Sequence, residues 1–233
     1  MLEKKKILAI IPARAKSIRL KNKNFLKLVG KPLIQHTIDK LLSIKMIDKI
    51  IISTDKKNIH KIIKKRKKIF FHFRSKNLSN AKTPVFKTIL EIAKKNPEFD
   101  IISYFLPTNP LLPKTDIKLG YLNLKKFRSS ISVTQFEDPI EISLRLDSKN
   151  NQIKPVFSNL KNNNTNSRFL RKSYRPTGSF YMIYRKDLLK NKTFFIKRSV
   201  GIIYSSLDYV DINNQKDFDY AKYLLKKNVK KKD

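Results

Sequence analysis

Between Pro12 and Asn24 the chain reads PARAKSIRLKNKN, with Arg14, Lys16, Ser17, Arg19, Lys21 and Lys23 crowded onto one short connection. Arginine binds phosphate oxygens as a planar fork and lysine as a point charge, so the stretch suits a polyphosphate. Composition dilutes that signal. Lys and Arg number 53 against 18 Asp and Glu, a net charge of +35, and any loop of such a chain collects cations. Three more polar stretches directly follow or lie beyond apolar runs: STD at 53–55, PTNP at 107–110 and DYVDIN at 208–213. If those runs are parallel strands, all four stretches lie at the carboxyl edge of a sheet, where open α/β sheets bind ligands.

The elements that would position these residues follow from periodicity. ILAII at 7–11 is a continuous apolar run of strand length, and Pro32 opens a helix carrying Leu33, Ile34, Thr37, Ile38, Leu41 and Leu42 at helical spacing. Strand character returns at 49–53; a basic helix at 57–66, a strand at 69–73 and a helix with Thr83 as N-cap and Pro84 as first residue are expected next. Strands at 100–106 and 129–135 flank a helix at 115–126. Apolar strands alternating with helices predict an α/β, mostly parallel sheet covered by helices on both faces. From 136 to 175 the pattern breaks into a short strand pair at 141–146 and 152–157 and the loop-like KNNNTNSR. Strands resume at 179–184 and 201–204, and an amphipathic helix spans 214–226. The expectation is one domain over 1–233 with 136–175 as an inserted lobe.

Several function classes are excluded. No Cys means no disulfide or thiolate zinc site, and four glycines scattered at 30, 120, 178 and 201 cannot form a Gly-rich phosphate loop. His36, His60 and His72 lack metal-ligand spacing, and no serine sits in a G-x-S-x-G elbow. The net charge keeps a nucleic-acid-binding protein as an alternative, but lysines recur through nearly every segment rather than along one stripe. The basic runs at 64–68 and 226–232 read as a solvated helix end and a polar tail. No run approaches the roughly 18 apolar residues of a membrane helix, and the expectation is a soluble cytoplasmic protein without membrane partners.

The longer pattern is more specific. IPARAKSIRLKNKNFLKLVGKPLI resembles the opening of the acylneuraminate cytidylyltransferase (CMP-sialic acid synthetase) family. IISTD at 51–55, Arg74 with Leu78 and Ser79, LPTNPLL at 106–112, YRPTGSFY at 174–181 and LDYVDINNQKDF at 207–218 keep that family's order. The resemblance implies a Rossmann-like nucleotide-diphospho-sugar-transferase type domain, with CTP as co-substrate, that transfers CMP to an acidic nine-carbon sugar. It places Arg14, Ser17 and Lys23 on the β and γ phosphates, Asn24 and Arg74 near the nucleotide, and Mg²⁺ on Asp211 with Asn213 or Asp208. Arg14, Lys23 and Asp211 are the expected catalytic groups. Arg168, Arg175 and Gly178 fall on the acceptor side, and the lobe implies a homodimer. The chain departs from the family pattern at Ile18, Leu106, Thr177 and Asn213, where relatives usually carry Lys, Gln, Asn and Asp. An alternative acceptor is the eight-carbon acid 3-deoxy-manno-octulosonate.

Overall fold

Uninterrupted aliphatic residues make Ile7–Pro12 a strand buried on both faces, β1, in the interior of a seven-stranded sheet. The computed structural model describes residues 5–230 apart from 16, 18, 159–161, 163–165, 167, 168 and 206–208. A two-stranded hairpin, β2 (Lys27–Leu28) and β3 (Lys31–Pro32), precedes α1 (Leu33–Leu42). Its two-residue turn needs positive φ at both positions, met by Val29 at 45° and Gly30 at 82°. Next come β4 (Lys49–Thr54), β5 (Ile69–Phe73), the short α2 (Lys76–Ser79), α3 (Val85–Lys95), β6 (Ile101–Phe105), α4 (Lys114–Asn123) and β7 (Ser129–Gln135). After β8 (Leu144–Leu146) and β9 (Ile153–Pro155), the chain continues through β10 (Tyr174–Tyr184), α5 (Arg185–Asn191), β11 (Ser199–Ile203) and α6 (Gln215–Lys230).

The sheet order is β11-β7-β10-β6-β1-β4-β5. β1 pairs in parallel with both β4 and β6, and β4 with β5, whereas β10 runs antiparallel to β6. The chain leaves β1 toward β4 and β5 and later returns to its other side at β6. That reversal creates a crevice at the carboxyl ends of the strands. On one face, Ile7, Ala9, Ile11, Ile50 and Ile52 pack with Ile34 and Ile38 of α1 and Tyr121 of α4. The alternate residues Leu8, Ile10 and Ile51 are buried too, and α3 lies against β1. Both faces are therefore covered, which is why the strands read as apolar runs rather than alternating ones.

Contacts divide the chain into two compact units, Met1–Ser132 with Thr177–Asp233, and Val133–Pro176. In the second, β8 and β9 pair as an antiparallel hairpin with Leu146 opposite Ile153. Leu144, Leu146, Ile153 and Val156 are exposed on it. Among the described residues no helix is long and apolar enough to cross a membrane.

Local structure departs from expectation in the most basic segments. Residues 57–66 form only a single 3-10 turn, Ile59–Lys61. Ile59 and Ile63 anchor it in the core, but the following Lys64, Lys65 and Arg66 would stack like charges on each further turn. Pro84 bounds α3 with extended backbone instead of entering it, and the Thr83 hydroxyl donates to Asn77 O rather than capping the helix. β10 begins at Tyr174, earlier than expected, and α5 and the β2–β3 hairpin carried too short an apolar pattern to read.

Candidate active site

The loop leaving β1 is pinned at its start to the end of β4. Ala13 N donates to Ser53 O at 2.8 Å, and Ala15 N donates to Asp55 Oδ1 at 2.6 Å. The buried Asn24 donates from Nδ2 to Arg14 O at 3.0 Å and closes the loop from its far end. The segment after β11 is tied to the turn after β6, since Ile212 N donates to Thr108 O at 2.8 Å. It is stiffened by a reciprocal cap on α6: Asp217 N donates to Asn214 Oδ1 at 3.0 Å, and Asn214 N donates to Asp217 Oδ2 at 3.0 Å. A small apolar cluster holds the two regions side by side, with Leu28 and Leu33 packed on Val210, Ile212 and Phe218.

Polar contacts then cross between them. Arg19 Nη2 donates to Asn213 Oδ1 at 2.8 Å, and Lys23 Nζ donates to Ile212 O at 2.5 Å and to Asn213 Oδ1 at 3.4 Å. Asn213 Nδ2 donates in turn to Asp211 Oδ2 at 2.8 Å. These groups border a cavity of about 390 Å³, within the usual range for small-molecule sites. Its charged lining is Arg14, Arg19, Lys23 and Arg74 against Asp211. The excess of cations suits a polyanion.

Burial lowers the Lys23 ammonium from its ordinary pKa; Asp211 and Asp217 oppose the shift and Arg19 adds to it. Burial likewise brings Arg74 down to about 10, with Asp55 opposing and Arg14 reinforcing. Among the described residues Arg74 donates to neutral acceptors, from Nε to Ser53 Oγ at 2.9 Å and from Nη2 to Ser53 O at 3.1 Å. Cations held away from water with so little carboxylate nearby are stabilised by an incoming anion.

The structure brings together Arg14, Ser17, Lys23, Asn24, Arg74, Asp211 and Asn213 around this cavity. Arg14 Nη1 also donates to Asn80 O at 3.1 Å, and the Asn24 amide supports the loop. Asn213 lies between the two cations and the carboxylate. Its oxygen faces Arg19 and Lys23 and its amide faces Asp211; turning it over would set every one of these contacts against a like charge or dipole. Among the described residues no group of three metal-ligating carboxylates or histidines converges. Asp211 Oδ1, however, takes no hydrogen bond from them, which leaves one hard oxygen for a cation.

Gly178 has φ of 75°, and a Cβ there would lie 3.2 Å from Leu106 Cδ1, so the position requires glycine for its backbone. Arg175 is exposed on the part of β10 that belongs to the second unit. Arg168, Asp208, Lys16 and Ile18 lie outside the described residues. Asp55, within the STD stretch after β4, and Asp217 build the site; Asp217 is not singled out by the sequence pattern, and the signal available was its place at the third position of a helix.

A cation-lined cavity at the reversal point of a parallel sheet is the place where open α/β proteins bind ligands, here one suited to an anion. A family model described as Cytidylyltransferase matches residues 8–231, and the chain belongs to that family of nucleotidyltransferases. It is 31% identical over 229 residues to a pseudaminic acid cytidylyltransferase of Campylobacter jejuni, covering 96% of this chain and 97% of that protein. To an N-acylneuraminate cytidylyltransferase of Escherichia coli it is 30% identical over 231 residues, 97% of this chain but 54% of the relative, so it spans about half that relative's length. Among solved structures, a CMP:2-keto-3-deoxy-manno-octonic acid synthetase complexed with CTP matches with a TM-score of 0.68 at 15% identity, covering 96% of this chain and 99% of that one. That last likeness is one of fold.

Proposed function

We propose that this chain transfers CMP from CTP to the anomeric oxygen of a sialic-acid-like nine-carbon 2-keto sugar acid and releases pyrophosphate. The observation that carries the reading is the contact of Arg19 and Lys23 with the 211–213 segment around one cavity. The sugar hydroxyl gives up its proton to water as its oxygen attacks the α-phosphorus, the bond from that phosphorus to the α–β bridging oxygen breaks, and its electron pair leaves on pyrophosphate. Arg14, Ser17 and Lys23 would hold the β and γ phosphates, and Arg74 the nucleotide beside them. Lys23 and Arg14 neutralise charge as it grows on the leaving group, and their fixed positions require no reorganisation at that moment.

Asp211 fits one ligand position for Mg²⁺, and we assign the second to Asp208 rather than Asn213. Bound there, Mg²⁺ would supply Lewis-acid stabilisation of the phosphate oxygens. Arg168 and Arg175 are the proposed partners of the acceptor carboxylate, with Gly178 shaping the backbone on that side. The exposed apolar residues of the β8–β9 hairpin support the second unit as the contact surface of a homodimer. CTP is a cytoplasmic metabolite, which favours that compartment.

Pyrophosphate release with CTP and Mg²⁺, measured over a panel of nine-carbon and eight-carbon sugar acids, tests the proposal. Turnover with a nine-carbon acid that disappears in Lys23→Ala and Asp211→Ala is expected. Preference for the eight-carbon acid or for ATP would overturn the acceptor or nucleotide assignment, and a gel-filtration mass of one protomer would remove the dimer.

A further inference from the structure

Behind the cavity wall, Arg74 hydrogen-bonds to Ser53, which meets His72, whose far nitrogen faces Glu91 of α3. Ser53 of β4 and His72 of β5 are register partners in adjacent parallel strands. Ser53 Oγ, fully buried, lies 2.9 Å from Arg74 Nε and 3.0 Å from His72 Nδ1. On the other side of the ring, His72 Nε2 is 3.5 Å from Glu91 Oε1, which also accepts from Lys95 Nζ at 2.6 Å. A guanidinium only donates, so Ser53 Oγ must accept from Arg74. The hydroxyl oxygen has a second lone pair, but an Nδ1–H donated to it would leave the hydroxyl hydrogen without the acceptor that Nδ1 can supply; the satisfied arrangement points that hydrogen at His72 Nδ1 and puts the ring proton on Nε2, toward Glu91.

We propose that His72 is a positioning residue: neutral and protonated on Nε2, it orients the Ser53 hydroxyl as the acceptor that aims Arg74 into the nucleotide cavity. The inference rests on the reading of that cavity as the CTP site. An imidazolium would reverse the relay. Its Nδ1–H would compete with Arg74 for the Ser53 oxygen, the hydroxyl hydrogen would be stranded in a buried site, and two cations would share one acceptor.

The charged groups facing the ring are Glu91 and Lys95 from α3 and Arg74 from beyond β5, while β4 presents the neutral Ser53. Burial opposes the imidazolium most strongly, Glu91 favours it, and Lys95 and Arg74 oppose it; the net shift is downward from the ordinary 6.5. Neutral His72 is thus the form present at and above neutrality, and the arrangement is lost as pH falls through the lowered value.

Two measurements on the full chain test this. Nitrogen NMR of the free protein should show His72 Nδ1 unprotonated, with a midpoint below that of a free imidazole. CTP titration calorimetry should show His72→Leu weakened about fivefold to tenfold, and His72→Asn, whose amide oxygen can accept near the Nδ1 position, within about twofold of wild type at neutral pH. His72→Asn should also lose less CTP affinity than wild type between neutrality and pH 5. An Nδ1–H tautomer, equal affinity in wild type and His72→Leu, or equal acid sensitivity in wild type and His72→Asn would overturn the proposal. Should His72→Leu fail to fold, the acid profile of His72→Asn decides. Absence of CTP binding by wild type at every pH would refute the function above, and the tautomer would still judge the relay.

Discussion

Lys23→Met separates a residue kept for function from one kept for the fold. Methionine preserves the length and most of the volume of the lysine side chain and removes its charge. Three effects on stability compete. The charge-assisted hydrogen bond to Ile212 O, worth about 1.5–3 kcal/mol, is lost. The desolvation that lowers the Lys23 ammonium is relieved, a fraction of the several kcal/mol that a fully buried ion costs. Attraction to Asp211 and Asp217 and repulsion from Arg19 disappear together and, at about 1 kcal/mol each in a solvent-reached cavity, leave a net loss of about 1 kcal/mol. With the relief set against the two losses, stability should fall by no more than about 2 kcal/mol, or roughly 4–8 °C in Tm. Catalysis should respond differently, because a fixed cation lost from developing phosphate charge costs about 2.7–4 kcal/mol, a 10²- to 10³-fold fall in kcat/KM. Calorimetric melting and pyrophosphate-release kinetics on the same preparation read both. A large drop in Tm with activity reduced only in proportion to the folded fraction would refute the reasoning.

Gly120→Ala in α4 should destabilise by about 1–2 kcal/mol despite better helix propensity, since the new Cβ would sit 3.0 Å from both Met182 Sδ and Phe180 Cε2; thermal melting checks it. Asn24→Ala leaves Arg14 O without its donor and should cost about 1–2 kcal/mol in denaturant unfolding, with KM for CTP rising more than kcat falls. Lys40 in α1 donates to Pro110 O, and burial, reinforced by Lys31 and Lys114, pulls its ammonium down to about 7. Between that value and 10.5 the unfolded chain binds the extra proton, so stability should rise with pH by at most about 1.4 kcal/mol per unit, a slope that Lys40→Met should remove from urea unfolding midpoints.

Much of the strand succession is legible in the sequence because strands covered on both faces read as continuous apolar runs, as Ile7–Ile11 and Ile50–Ile52 do. The 57–66 segment misleads because its helical spacing of isoleucines says nothing of the charge repulsion along the same turns. In the site, residue types and their order after strands point to Arg14, Lys23 and Asp211, whereas the Asn213 amide has an orientation set by neighbours far along the chain.

The amino-acid order alone determined that β1 ends in a dense cationic stretch and that an acidic residue follows the last strand. Only the folded chain decided that Arg19 meets Asn213 across 194 positions, and that Ser53 stands opposite His72. Local periodicity records which face of an element is buried. Register between strands and the reach of a side chain across a crevice depend on how many elements pack at once, and no short window of sequence contains that information.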